Sequence, residues 1–270
     1  MIARRLVWAM CLGIISSQGG TGSAHASDDI VIDFEDGVPG ALVERDWIEG
    51  SIGPVEWCRL EGRARFDILD REKALRVSYP VGAFRSKESG AQFVVTLPPK
   101  AERYLSYRVY FPDDFRWVKG GKLPGLASGG SRYTGGRKPG PEGGWSARYM
   151  WRRDGELGLY FYHPGMTGSH GERHSLDFRC PRGRWIELVQ RVVINDGEEG
   201  DLIEVWIDRV RALRLTRLEL SGTERGQIDT FLFSTFFGGN DPSWAPSESG
   251  VAWFDDIRIA ESPPRGIRNP

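Results

Sequence analysis

Residues 145–152 (WSARYMWR) and 157–163 (LGLYFYH) carry the side chains best suited to chemistry, because both segments alternate with period two. In the first, Trp145, Ala147, Tyr149 and Trp151 fall on one face and Ser146, Arg148, Met150 and Arg152 on the other. In the second, Leu157, Leu159, Phe161 and His163 oppose Gly158, Tyr160 and Tyr162. One face of each segment is apolar and belongs in a core. The other presents a hydroxyl, guanidinium groups and two phenols. A guanidinium can hold a carboxylate through two parallel hydrogen bonds. A phenol beside cations gives up its proton more easily than its ordinary pKa of about 10 implies. The chemistry on offer is recognition of an anion with proton transfer next to it.

Whether the two polar sets share a face depends on the turn between them. A two-residue turn at Asp154-Gly155 would set Arg148 opposite Phe161 and split the sets across the sheet. A three-residue loop, Arg153-Asp154-Gly155 with Gly155 in the left-handed conformation of a bulge, pairs Arg148 with Tyr160 and Ser146 with Tyr162. Only that register buries both apolar sets, so burial selects it. The same pattern also describes ordinary cross-strand neighbours on a half-exposed sheet, since Tyr is a good strand former.

The rest of the chain reads as scaffold for this hairpin. Further period-two runs at 30–34, 64–69, 74–79, 91–97, 104–111, 185–194, 202–207, 212–220, 228–237 and 251–259 make twelve strands with the hairpin pair. No stretch has convincing helical periodicity. The expected fold is all-β: a jelly-roll sandwich of two antiparallel sheets, concanavalin-like, in one domain over residues 27–270. Residues 119–144 hold ten glycines and three prolines, and are expected to form an irregular loop over a binding cleft or to be disordered in their middle.

The formal net charge is −1, which argues against a nucleic-acid or membrane-surface partner, but it hides an asymmetry. Residues 115–185 contain 13 Lys and Arg against 5 Asp and Glu. The basic block overlaps both the hairpin and the glycine-rich loop. At the N-terminus, Arg4 and Arg5, an apolar run from Leu6 to Ile15 and the small residues ending at Ala26 have the layout of a secretory leader, so residues 1–26 are expected to be removed near Ala26. The product is expected to be secreted or periplasmic and monomeric, with no membrane span. Cys58 and Cys180 remain, and in an oxidising compartment a Cys58 to Cys180 disulfide is expected, with two buried free thiols as the alternative.

Five stretches resemble the alginate and glucuronan lyases of polysaccharide lyase family fourteen: YRVYFPDD at 107–114, VKGGKLPGL at 118–126, SARYMWR at 146–152, LYFY at 159–162 and FSTFFGGNDPSW at 233–244. The resemblance extends over roughly residues 100–260. It implies a β-jelly-roll fold and cleavage of an acidic uronate polysaccharide by β-elimination, with no metal or other cofactor. By motif, the lysine of KGGKLPG is Lys122, the Ser-x-Arg is Ser146 and Arg148, and the Tyr-x-Tyr is Tyr160 and Tyr162. A family member also uses a histidine in the loop before the Ser-x-Arg strand, and residues 135–144 contain none.

Elimination requires a neutralised carboxylate, removal of the proton at carbon-5 and protonation of the departing glycosidic oxygen. The resemblance implies Arg148 and Lys122 as the neutralising cations and Tyr160 and Tyr162 as the proton-transfer groups: Tyr162 is the preferred base and Tyr160 the acid or a subsite hydrogen bonder, the reverse order and one phenol in both roles are the alternatives, and Ser146 orients the substrate or a neighbouring side chain. Arg152, His163, Trp117 and Asn240 complete the candidate substrate contacts. A glycoside hydrolase would need two facing carboxylates, and the hairpin offers only Asp154 and Glu156 at its turn. His170 and His174 lack a third metal ligand. The rival reading is a non-catalytic binding module for acidic glycans.

Overall fold

In the computed structural model, which describes residues 29–141, 143–194, 197–220 and 226–268, the chain folds into fifteen strands and two short helices. In chain order these are β1 (Ile30–Ile32), α1 (Arg45–Ser51), β2 (Val55–Arg59), β3 (Ala64–Leu69), β4 (Glu72–Tyr79), α2 (Arg85–Glu88), β5 (Ala91–Lys100) and β6 (Glu102–Tyr110). They continue with β7 (Gly120–Ser128), β8 (Trp145–Arg152), β9 (Glu156–Tyr162), β10 (Glu172–Arg179), β11 (Trp185–Val193), β12 (Asp201–Ile207), β13 (Val210–Leu218), β14 (Ile228–Phe237) and β15 (Gly250–Ala260). The expected leader, residues 1–26, lies outside the described residues.

Two antiparallel sheets make a jelly-roll sandwich. One runs β13-β12-β11-β6-β15-β4-β3 with β1 on β15, and the other runs β10-β9-β8-β7-β14-β5-β2. Their inner faces meet in one continuous core, and the alternation read from the sequence decides what enters it. Trp145, Ala147, Tyr149 and Trp151 of β8 and Leu159 and Phe161 of β9 are fully buried there. At one end, Tyr79, Phe111, Phe115, Trp151 and Phe237 pack ring on ring.

Twelve strands match the expected runs, and β2, β7 and β10 are additional. The important one is β7, because residues 120–128 were expected to be loop and instead form a central strand between β8 and β14. Glycine and proline are poor strand residues, yet each has a local reason here. Pro124 sits where the pairing with β8 shifts register, at a bulge that needs no ladder donor, and its carbonyl accepts from the Tyr107 hydroxyl. A Cβ on Gly121 would lie 2.0 Å from the Trp151 ring, and one on Gly125 would lie 2.0 Å from the Ala147 carbonyl oxygen and 2.7 Å from the Arg148 Cα. The irregular segment proper is 129–144.

The expected disulfide is not formed, and both cysteines are free. Cys58 lies in β2 and Cys180 just beyond β10, at opposite edges of the same sheet. Six strand spacings separate them, roughly 29 Å, against the ~7 Å limit between bridged Cα atoms. The even count carried no positional information.

Substituting Gly125 tests the packing of β7. Gly125→Ala is expected to lower the thermal midpoint by about 6 °C or more, from overpacking of about 3 kcal/mol against backbone that cannot yield. Gly140→Ala, whose Cβ meets nothing within 4 Å, should leave the melting curve unchanged.

Candidate active site

The β8–β9 hairpin adopts the register that burial demands: Ser146 pairs with Tyr162, Arg148 with Tyr160 and Met150 with Gly158. Its three-residue turn places both Asp154 (φ 57°) and Gly155 (φ 76°) in the left-handed region. On the other side of β8, Lys122 of β7 pairs with Met150. Four strands thereby bring Tyr160, Arg148, Lys122 and Ser234 together on the outer face of one sheet.

Their contacts are close. The Lys122 ammonium group lies 4.0 Å from the centroid of the Tyr160 ring. The Tyr160 and Tyr162 hydroxyls are 3.3 Å apart. Arg148 donates from Nη1 to the Ser234 hydroxyl at 3.1 Å, and its buried Nε has no partner. Ser234 and Gln92 continue the polar line onto β5, their side chains 3.5 Å apart.

Two connections wall this line on either side. The described part of segment 129–144 is tied down at several points, three of them along the groove. Ser131 accepts from the Trp57 indole at 2.8 Å, Ser146 donates to the Tyr133 carbonyl at 2.6 Å, and the Gly136 N–H donates to the Tyr162 hydroxyl oxygen at 3.0 Å. Opposite, the connection after β14 joins β7 through Gly238 N–H to the Gly120 carbonyl and carries Trp244, whose ring faces Arg152 at 5.4 Å and Lys119 at 5.9 Å. The walls run across the strands, so the groove between them does too.

The electrostatics of the groove are unusual. Lys122 is 7% exposed and Arg148 4%, and among the described residues no carboxylate pairs with either. Burial, then the charges of Arg148 and Arg152, hold the Lys122 amine well below the ordinary lysine value. Burial also lowers Arg148, with the two tyrosines opposing. For Tyr160 burial raises the pKa, reinforced by its hydrogen bond with Tyr162, and outweighs the attraction of Arg148. The sequence suggested that cations would make the phenol acidic. Desolvation reverses that order and leaves the amine as the group most ready to be neutral.

Several sequence-predicted contacts are placed elsewhere. Trp117 is a core residue, 6% exposed and packed against Phe111 and Phe115 at 4.7 and 5.0 Å. His163 stacks on Phe161 at 4.5 Å and meets Glu172 at 3.1 Å, on the core side of β9, because it shares parity with Phe161 and not with the tyrosines. Ser146 is fully buried and anchors the wall at Tyr133, so it holds the groove's shape from beneath. Tyr162 is closed over by the same wall, at 0% exposure. Arg152 lines the opposite wall, and Asn240 lies exposed on it, its carbonyl accepting from Arg85.

Of the remaining histidines, His174 lies toward Phe161 on the core side, whereas His170 is exposed beside Gly136 of the wall. Trp57, Gln92 and Ser234 were not singled out from sequence. Gln92 and Ser234 were readable, because each has the opposite parity to the inward Phe93 and Phe233. Trp57 stands on the unexpected strand β2.

The sequence profile of the polysaccharide lyase 14 family matches residues 69–257. Three solved structures share the fold. A variant of alginate lyase Aly36B in complex with alginate tetrasaccharide superposes with a TM-score of 0.76 at 20% identity, covering 87% of this chain and 98% of that one. A PL-14 alginate lyase from Aplysia kurodai gives 0.70 at 24% identity over 86% and 98%. An endo-beta-1,4-glucuronan lyase from the fungus Trichoderma reesei gives 0.52 at 9% identity over 78% and 92%. No curated protein sequence matches the chain.

A buried guanidinium with no carboxylate costs stability, so Arg148→Met is expected to raise the stability of the free protein by about 1–4 kcal/mol. Thermal unfolding without ligand checks this, and a fall in the midpoint would mean that Arg148 serves the fold.

Proposed function

The chain belongs to the polysaccharide lyase 14 family, and from the geometry of its groove we propose that it cleaves a uronate polysaccharide of alginate or glucuronan type by β-elimination. The observation that carries this reading is Arg148, a buried guanidinium with no carboxylate partner among the described residues, set beside an amine poised to be neutral. A uronate supplies the missing carboxylate. That pairing draws charge from the acid group and makes the proton on carbon-5 easier to remove. The fold shared with alginate and glucuronan lyases supports the substrate class. The leader pattern of residues 1–26 supports an exported enzyme, which would meet such polymers.

Lys122 takes the carbon-5 proton as a neutral amine. The electron pair left behind forms the double bond between carbon-4 and carbon-5, and the bond from carbon-4 to the glycosidic oxygen breaks. Tyr160, which burial keeps protonated, donates its proton to that oxygen. Lys122 is then charged and Tyr160 a phenolate. Return of the proton from Lys122 to Tyr160 by way of solvent resets the site. Tyr162 assists from below: its oxygen accepts from Gly136 N–H and from the protonated Tyr160, and once Tyr160 is a phenolate the Tyr162 hydroxyl turns its own proton to that oxygen. Sequence reasoning favoured Tyr162 as base; its closure beneath the wall favours Lys122 in that role.

Both proton-transfer groups rise from the groove floor, so they reach the sugar from one face. In mannuronate and glucuronate the carbon-5 hydrogen and the departing oxygen lie on the same face of the ring, whereas in guluronate they lie on opposite faces. Polymannuronate and glucuronan are therefore the expected substrates.

Incubation with polymannuronate, polyguluronate and glucuronan, following the ultraviolet absorbance of the unsaturated product, tests the proposal. The first and third should react and polyguluronate should be spared. Binding with no absorbance on any polymer would leave the glycan-binding module as the answer. Lys122→Arg, which keeps a charge but cannot act as a neutral base, should lower kcat by about 10²- to 10⁴-fold.

The pH profile follows with its sign. Because Lys122 must be unprotonated, kcat/KM should rise with pH through a limb well below 10.5. It should fall only as Tyr160 loses its proton, above 10.0. An acidic limb that persists in Lys122→Arg would assign the base elsewhere.

A further inference from the structure

The groove does not end at the catalytic cluster. From Arg148 the cross-strand pairs run without a break through Gly125, Leu232 and Val94 to Trp57 on the edge strand β2, with Arg59 next to it opposite Gln92. Trp57 packs one side of its ring on Val94, Ala127 and Leu232 and is locked by its bond to Ser131, which fixes the ring at the foot of the wall. The Arg59 guanidinium lies 5.6 Å from the centroid of that ring and donates to the Ser86 hydroxyl at 3.2 Å. Its one acidic neighbour, Glu61, is 3.8 Å away and half exposed, and pairs more closely with Arg63. Arg59 therefore keeps most of its charge free for a ligand.

An aromatic ring held rigid beneath a guanidinium suits recognition of an acidic sugar: the ring fixes the direction of the guanidinium, and the guanidinium takes the carboxylate. Its position also fits. Four strand spacings of about 4.8 Å put Trp57 some 19 Å from Arg148, and an extended 1,4-linked chain advances about 5 Å per residue. We propose that Trp57 and Arg59 form a distal subsite that holds a uronate residue about four units from the one bound by Arg148. This rests on the lyase reading of the groove and extends it: the enzyme grips a long internal stretch of polymer and cuts within chains.

Uronate oligomers of defined length test the idea. In the wild-type protein kcat/KM should rise with length until the chain reaches β2, so that an octamer is preferred to a tetramer. Arg59→Ala should reduce that octamer-to-tetramer ratio about tenfold, chiefly through KM, and Arg59→Lys should restore part of it. A ratio unchanged by Arg59→Ala would overturn the subsite. Affinities for the same oligomers, measured by calorimetry in the Lys122→Arg background, read the subsite without turnover. If no oligomer yields unsaturated product, the lyase reading fails, and octamer affinity lowered by Arg59→Ala would still support the subsite. Melting curves of the variants exclude misfolding, since Arg59 is partly exposed.

Discussion

Lys122 and Arg148 stand side by side in a groove whose described residues offer neither of them a carboxylate, and most of the architecture exists to keep them there. Two like charges out of water repel one another and lose hydration, and the Ser234 hydroxyl at Arg148 and the Tyr160 ring beside Lys122 offset only part of that cost. The holding force comes from the other side of the sheet. Trp145, Tyr149, Trp151, Leu159 and Phe161 must be buried, and with side chains alternating along each strand their burial obliges Arg148 and Tyr160 to face the groove. The hydrophobic core thereby sets the charge state of the site: it keeps the cations where desolvation, more than any neighbour, decides who carries a proton.

That dependence explains which parts were legible in the sequence. The hairpin register followed from alternation and one turn, because a slip of one residue would have exposed three large apolar side chains. The two-sheet fold followed from the same signal repeated along the chain. Strand β7 did not, because its glycines and proline read as loop residues until the partners they approach are known; only Trp151, Ala147 and the bulge at Pro124 make sense of them. Strand β10 was hidden because it is an edge strand with a bulge and a mostly polar sequence, so that its core side shows only Leu176 and Phe178 as apolar residues.

Residue roles were less legible than residue positions. Parity alone put His163 on the core side, yet its chemistry made it attractive as a contact. Trp117 looked like a sugar platform because it lies within the basic block, and only the packing of Phe111 and Phe115 shows that it belongs to the core. The order of proton affinities was the least accessible. Reference values rank Tyr below Lys by a fraction of a unit, a gap smaller than the effect of burial on either, and burial moves the two in opposite directions.

The close approach of β7 to β8 has a consequence for how such a protein can diversify. At Gly121 and Gly125 there is no room for even one more carbon, and the neighbouring atoms are largely backbone. The floor is therefore nearly closed to variation, and a lineage that changes its preferred polymer must do so by rewriting the two rims, where segment 129–144 and the connection after β14 carry exposed residues. Divergence is channelled: the reaction is inherited with the sheet, and selectivity drifts with the loops.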